Sequence, residues 1–349
     1  MDNKYETTLQ KFAAVLGWVY LVGLCLWLGL YLIFGDDIGY LGLINSFAFY
    51  YFLPAFIFAI LAFLMRRWSL LAVSGAAVVV FLWFWGALFL PRLPRPTVAG
   101  ETLKVMTYNV EGVVRNRSGD PRNIVDSILH EDPDIVMMQE FTHATARTVR
   151  RELSEQYPYQ ILAPTWDVYG KGVISKYPLT NTGDTLPGNW KGTPQILTLD
   201  WQGQEITVIN YHFNKSAPGS IAEVDATFAN RENLAQILAE AAIQYGEKRP
   251  VIATGDSNIT PLGEAYKTIH AELQDAWLEA GFGLGHTYPA DEFGRNALFS
   301  VKWGLPIPQK LIRIDYIFVS DDWVVVNAVR PRNRGGSDHL PVVAEIGLK

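Results

Sequence analysis

The hydrophobic pattern divides the chain into two unlike parts. Residues 12–90 form an almost unbroken apolar run in which Asp36, Asp37, Arg66 and Arg67 are the only charged side chains. Three segments stand out, at about 12–34, 43–65 and 70–90, with no charge inside any of them. Crossing a ~30 Å hydrocarbon core takes about 20 apolar residues in a helix, and each segment reaches that length. Pro54 falls in the second, where a spanning helix tolerates it. Trp18, Trp27, Trp68, Trp83 and Trp85 resemble interfacial anchors. A cleaved signal peptide would show one short apolar segment and a small-residue cleavage site, which three consecutive spans do not match. The pattern predicts an N-terminal region, residues 1–90, that crosses the lipid bilayer with three transmembrane helices.

Beyond residue 100 the pattern changes. Short strand-like runs occur at 103–109, 135–139, 172–175, 195–199, 206–211, 251–254, 314–319 and 342–346. Some alternate apolar with polar residues and others are wholly apolar, as expected for sheets packed on one face or on both. Helical periodicity appears at about 122–130, 144–156, 222–245 and 262–280. The mixture predicts two packed sheets with helices outside, an α/β layered domain over 101–349. The proline-rich stretch 91–100 between the two parts reads as a short stiff linker.

Charge refines this organisation. The loop between the second and third segments carries Arg66 and Arg67, and the loop between the first and second carries only acids. The positive-inside rule then places the arginine loop and the N-terminus, with Lys4 and Lys11, in the cytoplasm. An odd number of spans puts everything after residue 90 outside, giving a multi-pass protein of the cell membrane with an extracytoplasmic domain. Arg92 and Arg95 argue the other way. The single cysteine, Cys25, lies in the first segment, so the domain that follows has no disulfide, and at its size it needs none. Of the 35 acidic and 29 basic residues, four and six precede Gly100, which leaves 31 and 23 and a formal charge of −8. Surfaces that bind polyanions are usually basic, so a phosphate-bearing substrate here must be held locally, through metal.

The strand-like runs end in polar residues of a restricted type. Asn109 ends the first and Glu140 follows the second. His212 and Asn214 lie in YHFN, Asp256 and Asn258 in GDSN, Asp315 in RIDYIFVS, and Asp338 and His339 in GGSDHLPV. Neighbours in a strand point to opposite faces, so Asp338 and His339 share a target only if Gly335 and Gly336 bend the chain. Strand ends of this kind cannot be buried without partners; gathered at one rim, they become partners of one another and of a hard cation. An oxygen-only set of Glu140, Asp256, Asn258, Asp338 and Asn109 suits Mg2+, Mn2+ or Ca2+ over a structural zinc. Asp315 and His339 suit an orienter–base pair, and His212 a second acid–base group. Metal, two histidines and amide donors together describe hydrolysis of a phosphate ester. Singly, Asn109 and Asn258 also read as turn residues, Glu140 as a helix N-terminal acid and His212 as a half-buried histidine. Six clusters in one order do not read as accident.

As an ordered set, MTYNVEG, MMQE, YHFN, GDSN, RIDYIFVS and GGSDHLPV resemble the endonuclease/exonuclease/phosphatase superfamily, over residues 103–346. That superfamily includes DNase I, exonuclease III-type abasic-site endonucleases, neutral sphingomyelinases and inositol polyphosphate 5-phosphatases. The resemblance implies a DNase I-like four-layer α/β sandwich with its site at one end of two sheets. By matching position, Asn109 and Glu140 resemble the first metal-site residues, Asn109 also a substrate contact, and Asp338 the second metal-site carboxylate. Asp256 and Asn258 resemble the pair that positions water and phosphate, with Asp256 also close to metal. Asp315 resembles the carboxylate that orients His339, itself a general base or a phosphate-stabilising imidazole. His212 resembles the histidine near the leaving oxygen, and Asn214 is assigned to substrate contact. Which histidine is acid and which is base stays open.

The strongly basic loops of abasic-site enzymes are absent. The stretch 281–310, with Phe282, Tyr288, Phe293, Phe299, Trp303, Leu305 and Ile307, reads either as core packing or as a rim that touches lipid or stacks on a base. The expectation is a membrane-anchored phosphodiesterase that uses Mg2+, with Mn2+ or Ca2+ as alternatives. It drives in-line attack of water on a phosphodiester, either nucleic acid or a lipid headgroup. No protein partner is inferable. The alternative, a non-catalytic membrane receptor or scaffold keeping the fold, predicts a lost ligand or imidazole, and none is lost.

Overall fold

The computed structural model describes residues 7–38, 40–92, 97–98, 100–110, 120–216, 219–290 and 309–349. The chain forms two compact units, Met1–Leu90 and Pro91–Lys349. Part of the expected linker lies outside the described residues.

In the first unit, α1 (Thr8–Phe34) opens on a capping box between Thr7 and Gln10. The second expected span is not one helix but two, α2 (Leu41–Asn45) and α3 (Ala48–Leu64), separated at Ser46 and Phe47. Polar side chains account for the break. The buried Asn45 amide donates to the Gly35 carbonyl at 2.9 Å and to Asp36 Oδ1 at 2.8 Å, and its oxygen accepts from Trp27 Nε1 at 3.1 Å. Ser46 turns its hydroxyl back onto the Gly42 carbonyl, a bond that competes with the helix. The last helix, α4 (Trp68–Trp85), runs on as a 3-10 turn, Gly86–Phe89. Among the described residues, two helices, Thr8–Phe34 and Trp68–Phe89, are long and apolar enough to cross a membrane. The three expected spans become these two and the shorter α3 of 17 residues, about 26 Å at the 1.5 Å rise of a helix.

The second unit begins with β1 (Leu103–Asn109), α5 (Pro121–Glu131), β2 (Ile135–Gln139) and α6 (His143–Leu153). It continues through β3 (Tyr159–Ala163), β4 (Lys171–Ser175), β5 (Leu179–Asn181), β6 (Gln195–Trp201), β7 (Gln204–His212) and the long α7 (Ile221–Gly246). It closes with β8 (Val251–Asp256), α8 (Glu264–Glu272), β9 (Gln274–Asp275), α9 (Ala276–Ala280), β10 (Asp315–Val319), β11 (Trp323–Val329) and β12 (Val342–Leu348). One sheet has the order β11-β12-β1-β2-β4-β3 and the other β5-β6-β7-β8-β10-β9.

Alternation along the strands builds the layers. Val105, Met137, Val208, Ile252, Ile317 and Ala344 point into one core shared by both sheets. The residues between them face outward. Met106, Val136 and Val343 pack with Ile124, Ile128 and Val149 of α5 and α6. Ile209, Ala253 and Phe318 pack with Leu234, Leu238 and Ile269 of α7 and α8. The result is the expected four-layer sandwich.

Three expectations shift. The helix expected over 262–280 is interrupted at Asp275, whose buried carboxylate caps Trp277 N–H at 2.9 Å and binds Arg313 Nη1 at 2.6 Å and Tyr266 Oη at 2.7 Å. Leu273 is extended there, and Gln274 and Asp275 pair with Val319 and Phe318. β3, β5, β9 and β11 add strands not expected from sequence. In the aromatic stretch, Phe282 is exposed and Tyr288 buried. Phe293, Phe299, Trp303, Leu305 and Ile307 lie outside the described residues.

Trp323 is fully buried in the inter-sheet core, its ring centroid 6.0 Å from that of Trp201. Trp323→Ala leaves a cavity where neither sheet can collapse, and is expected to cost about 3–5 kcal/mol. Denaturant unfolding of the full chain in detergent measures it; a loss under ~1 kcal/mol would contradict this packing.

Candidate active site

The inter-sheet face does not stay apolar along its length. Continuing the same alternation, Thr107, Gln139, Asn210 and Thr254 form a fully buried polar layer. Gln139 Nε2 donates to Asn210 Oδ1 at 2.9 Å and to Thr107 Oγ1 at 3.2 Å, and Asn210 Nδ2 donates to the Met138 carbonyl at 3.1 Å. Two residues further on come Asn109, His212, Asp256 and Asp315, each at a strand end. Register brings them together: His212 lies opposite Asp256 in the β7–β8 pair, and Asp315 opposite Asp256 in the β8–β10 pair. The same period of two that places valines in the core thus places four functional groups at its end.

Asp256 Oδ2 is the centre. It accepts from Asn109 Nδ2 at 3.0 Å and lies 3.1 Å from His212 Nε2 and 3.8 Å from His339 Nε2. Its other oxygen accepts from the Asn258 backbone N–H at 2.9 Å. Asn258 Nδ2 donates to the Phe213 carbonyl at 3.0 Å and lies 3.4 Å from His212 Nε2. Asp315 Oδ2 holds His339 Nδ1 at 2.9 Å, the expected orienting pair.

The last corner is a turn. Gly335 and Gly336 both adopt positive φ, and a Cβ on Gly335 would meet Tyr108 Oη at 2.6 Å. Ser337 Oγ donates to the Asn109 carbonyl at 2.7 Å and accepts from the His339 N–H at 3.0 Å, tying this turn to the end of β1. Asp338 Oδ1 lies 3.9 Å from His339 Nε2, so the bend does bring both side chains to one place. Glu140 and Asn258 also carry positive φ, +53° and +50°. Such backbone is tolerated by asparagine and unusual for glutamate, a strain of order 1 kcal/mol or more at Glu140.

The two histidines are tuned in opposite directions. Burial, reinforced by the Lys191 ammonium, pushes His212 down to about 3 against the pull of Asp256, so it is neutral. Burial would lower His339 as well, but Asp315, Asp256 and Asp338 together outweigh it and raise it to about 10. Asp256 is buried, which disfavours its charge, yet His212, His339 and Lys191 hold it below the usual carboxylate range. Opposite shifts in adjacent titratable groups separate their roles.

Every sequence-predicted residue except Asn214 joins this cluster. The Asn214 side chain donates to the Asn189 carbonyl at 2.6 Å, and its own carbonyl accepts from Arg231 Nε at 2.8 Å. Other contributors were not read from sequence. Lys191 Nζ lies 2.5 Å from Glu140 Oε1, and the Tyr288 ring stacks obliquely on His339 with centroids 4.9 Å apart. Strand alternation would have found Gln139 and Asn210; Lys191 and Tyr288 sit outside strands and carry no such signal.

Glu140, Asp256, Asp315 and Asp338 bring four buried carboxylates to one rim. Desolvated like charges repel and need cations among them. A group of Asp256, Asp315 and His339 has ligand atoms within 4.8 Å of one another. The hydrogen bond between His339 and Asp315 already occupies two of those three, and of the oxygen donors expected from sequence only Asp256 belongs to this group. Carboxylate oxygens without a thiolate suit a hard divalent cation.

Comparison with known proteins agrees with the fold. A profile of the endonuclease/exonuclease/phosphatase family matches residues 106–339. An endonuclease/exonuclease/phosphatase family protein from Bacteroides thetaiotaomicron superposes with a TM-score of 0.53 at 18% identity, covering 71% of this chain and 98% of its own. A family protein from Bacteroides vulgatus gives 0.55 at 19% identity, with coverage of 72% and 100%. D. rerio TDP2 complexed with single-strand DNA product gives 0.56 at 16% identity, with coverage of 71% and 100%. A search of curated protein sequences returned no match. With the profile spanning two-thirds of its length and the sandwich shared, the chain belongs to the endonuclease/exonuclease/phosphatase family and is a phosphoric ester hydrolase.

Proposed function

We propose that the chain is a divalent-metal-dependent phosphodiesterase held at a membrane. The observation that carries this reading is the meeting of Asn109, His212 and His339 around one oxygen of Asp256, within 3.0–3.8 Å. Glu140, Asp256, Asp338 and Asn109 would hold Mg2+, or Mn2+ or Ca2+. Bound there, the cation supplies Lewis-acid stabilisation of phosphoryl charge. Asp256, held as an anion, orients the attacking water. Asn258 and Asn109 donate hydrogen bonds toward non-bridging phosphate oxygens, and Asn214 contacts substrate further out. His339, protonated and oriented by Asp315, faces the charge that develops on the phosphoryl group. His212, neutral, lies beside the leaving oxygen and adds no charge.

The favoured substrate is a nucleic-acid phosphodiester, supported by the likeness to TDP2 with bound DNA product. A lipid headgroup is the second reading, favoured by the apolar N-terminal helices. Full-length protein in detergent, assayed with Mg2+ against DNA, sphingomyelin and phosphoinositides, separates them. Cleavage of DNA alone is expected, and cleavage of lipid alone would reverse the ranking.

The bilayer and the cell membrane remain part of this reading. With the shorter α3 spanning as well, Arg66 and Arg67 face the cytoplasm and the catalytic domain lies on the extracytoplasmic side. A periplasmic-type reporter fused after Lys349 should be active; a fusion active only in the cytoplasm would overturn this orientation.

A further inference from the structure

Lys191 sits on Glu140 through a scaffold built for it. Its ammonium lies 2.5 Å from Glu140 Oε1, with the side chain only 13% exposed. The Lys191 N–H donates to the His212 carbonyl at 3.0 Å. The Lys191 and Gly192 carbonyls accept from the buried Lys171 ammonium, each at 2.8 Å. Gly192 holds φ +74°, and a Cβ there would lie 2.0 Å from the Tyr169 carbonyl oxygen, so glycine alone allows this approach. On the other side, Trp190 Nε1 donates to the Pro187 carbonyl at 2.7 Å, and its ring packs 5.4 Å from that of Phe213. A solvated surface lysine needs no such anchoring.

An ammonium and a divalent cation repel at a few ångströms, and both are drawn to the same carboxylate. Resting on the reading of Glu140 as a metal ligand, we infer that Lys191 is a resident counter-ion of Glu140 that a divalent cation must displace. Lys191 therefore satisfies the buried carboxylate while no cation is bound, and it weakens the site's affinity for metal. Glu140 is thus shared between two positive partners in turn.

The test is Mn2+ binding by the full-length protein in detergent, with free Mn2+ followed by electron paramagnetic resonance. Lys191→Met and Lys191→Gln remove the charge, while Lys191→Arg keeps it. Both neutral variants should bind Mn2+ about tenfold more tightly, within the usual range for coupled sites, and Lys191→Arg should stay near wild type. Thermal melting confirms that each variant is folded, and either neutral variant suffices. Unchanged or weaker Mn2+ binding in a folded neutral variant would overturn the inference. Glu140→Gln separates this from the underlying reading. Loss of Mn2+ binding there upholds Glu140 as a ligand whatever Lys191 does; wild-type binding there removes that reading and the inference with it.

Discussion

His339→Ala is expected to lower kcat by roughly 10²–10⁴-fold while leaving the protein folded. The ring is the cationic member of the histidine pair, held by Asp315 at 2.9 Å and raised by three carboxylates against its own burial. Alanine removes that charge from beside the phosphoryl group, and nothing in the turn replaces it. The turn itself persists, because Ser337 and the His339 backbone N–H fix it rather than the imidazole. Steady-state kinetics with circular dichroism as a folding check decides the matter. Full activity in a folded His339→Ala protein would remove the role assigned to this residue.

Asp256→Asn should have an effect of the same order, through a different route. The substitution keeps shape and volume and removes one negative charge. Asp256 Oδ2 is the shared acceptor of the Asn109 amide and His212, and it is the nearest carboxylate oxygen to His339 after those of Asp315. An amide in its place presents a donor to groups that need an acceptor, so Asn109, His212 and the attacking water all lose their reference point. We expect kcat to fall by about 10³-fold, with a smaller change in KM. Retention of more than about a tenth of wild-type kcat would show that water is oriented by another group.

Much of this site was legible because strand alternation and turn chemistry leave marks in sequence. Asn109, His212, Asp256 and Asp315 occupy positions two residues beyond buried core residues on the same strand face, and a reader of the alternation reaches them directly. Gly335 and Gly336 announced the bend that carries Asp338 and His339. What stayed hidden was fixed by tertiary contact. Lys191 belongs to a loop whose course depends on Lys171, Tyr169 and His212, residues distant in sequence. Asp275 interrupts a helical periodicity because Arg313, far along the chain, binds its carboxylate. β11 carries no clean alternation in sequence, because its register shifts between Val325 and Asn327. In the apolar unit, hydropathy measured the length of the second segment but not the break at Asn45 and Ser46, which side-chain hydrogen bonds impose. The expected alternative, a non-catalytic scaffold, predicts a lost ligand or imidazole, whereas Asp256, Asp315 and His339 lie together.

We propose above all that this rim is a metal-dependent phosphodiesterase site. The most direct measurement is turnover of DNA, sphingomyelin and phosphoinositides by the full-length protein in detergent, with Mg2+ present and then removed by chelation. Hydrolysis of a phosphodiester is expected with Mg2+, its loss on chelation and its return when Mg2+ is restored. Turnover that persists undiminished after chelation, or no turnover of any phosphoester with Mg2+, Mn2+ or Ca2+ present, would contradict it.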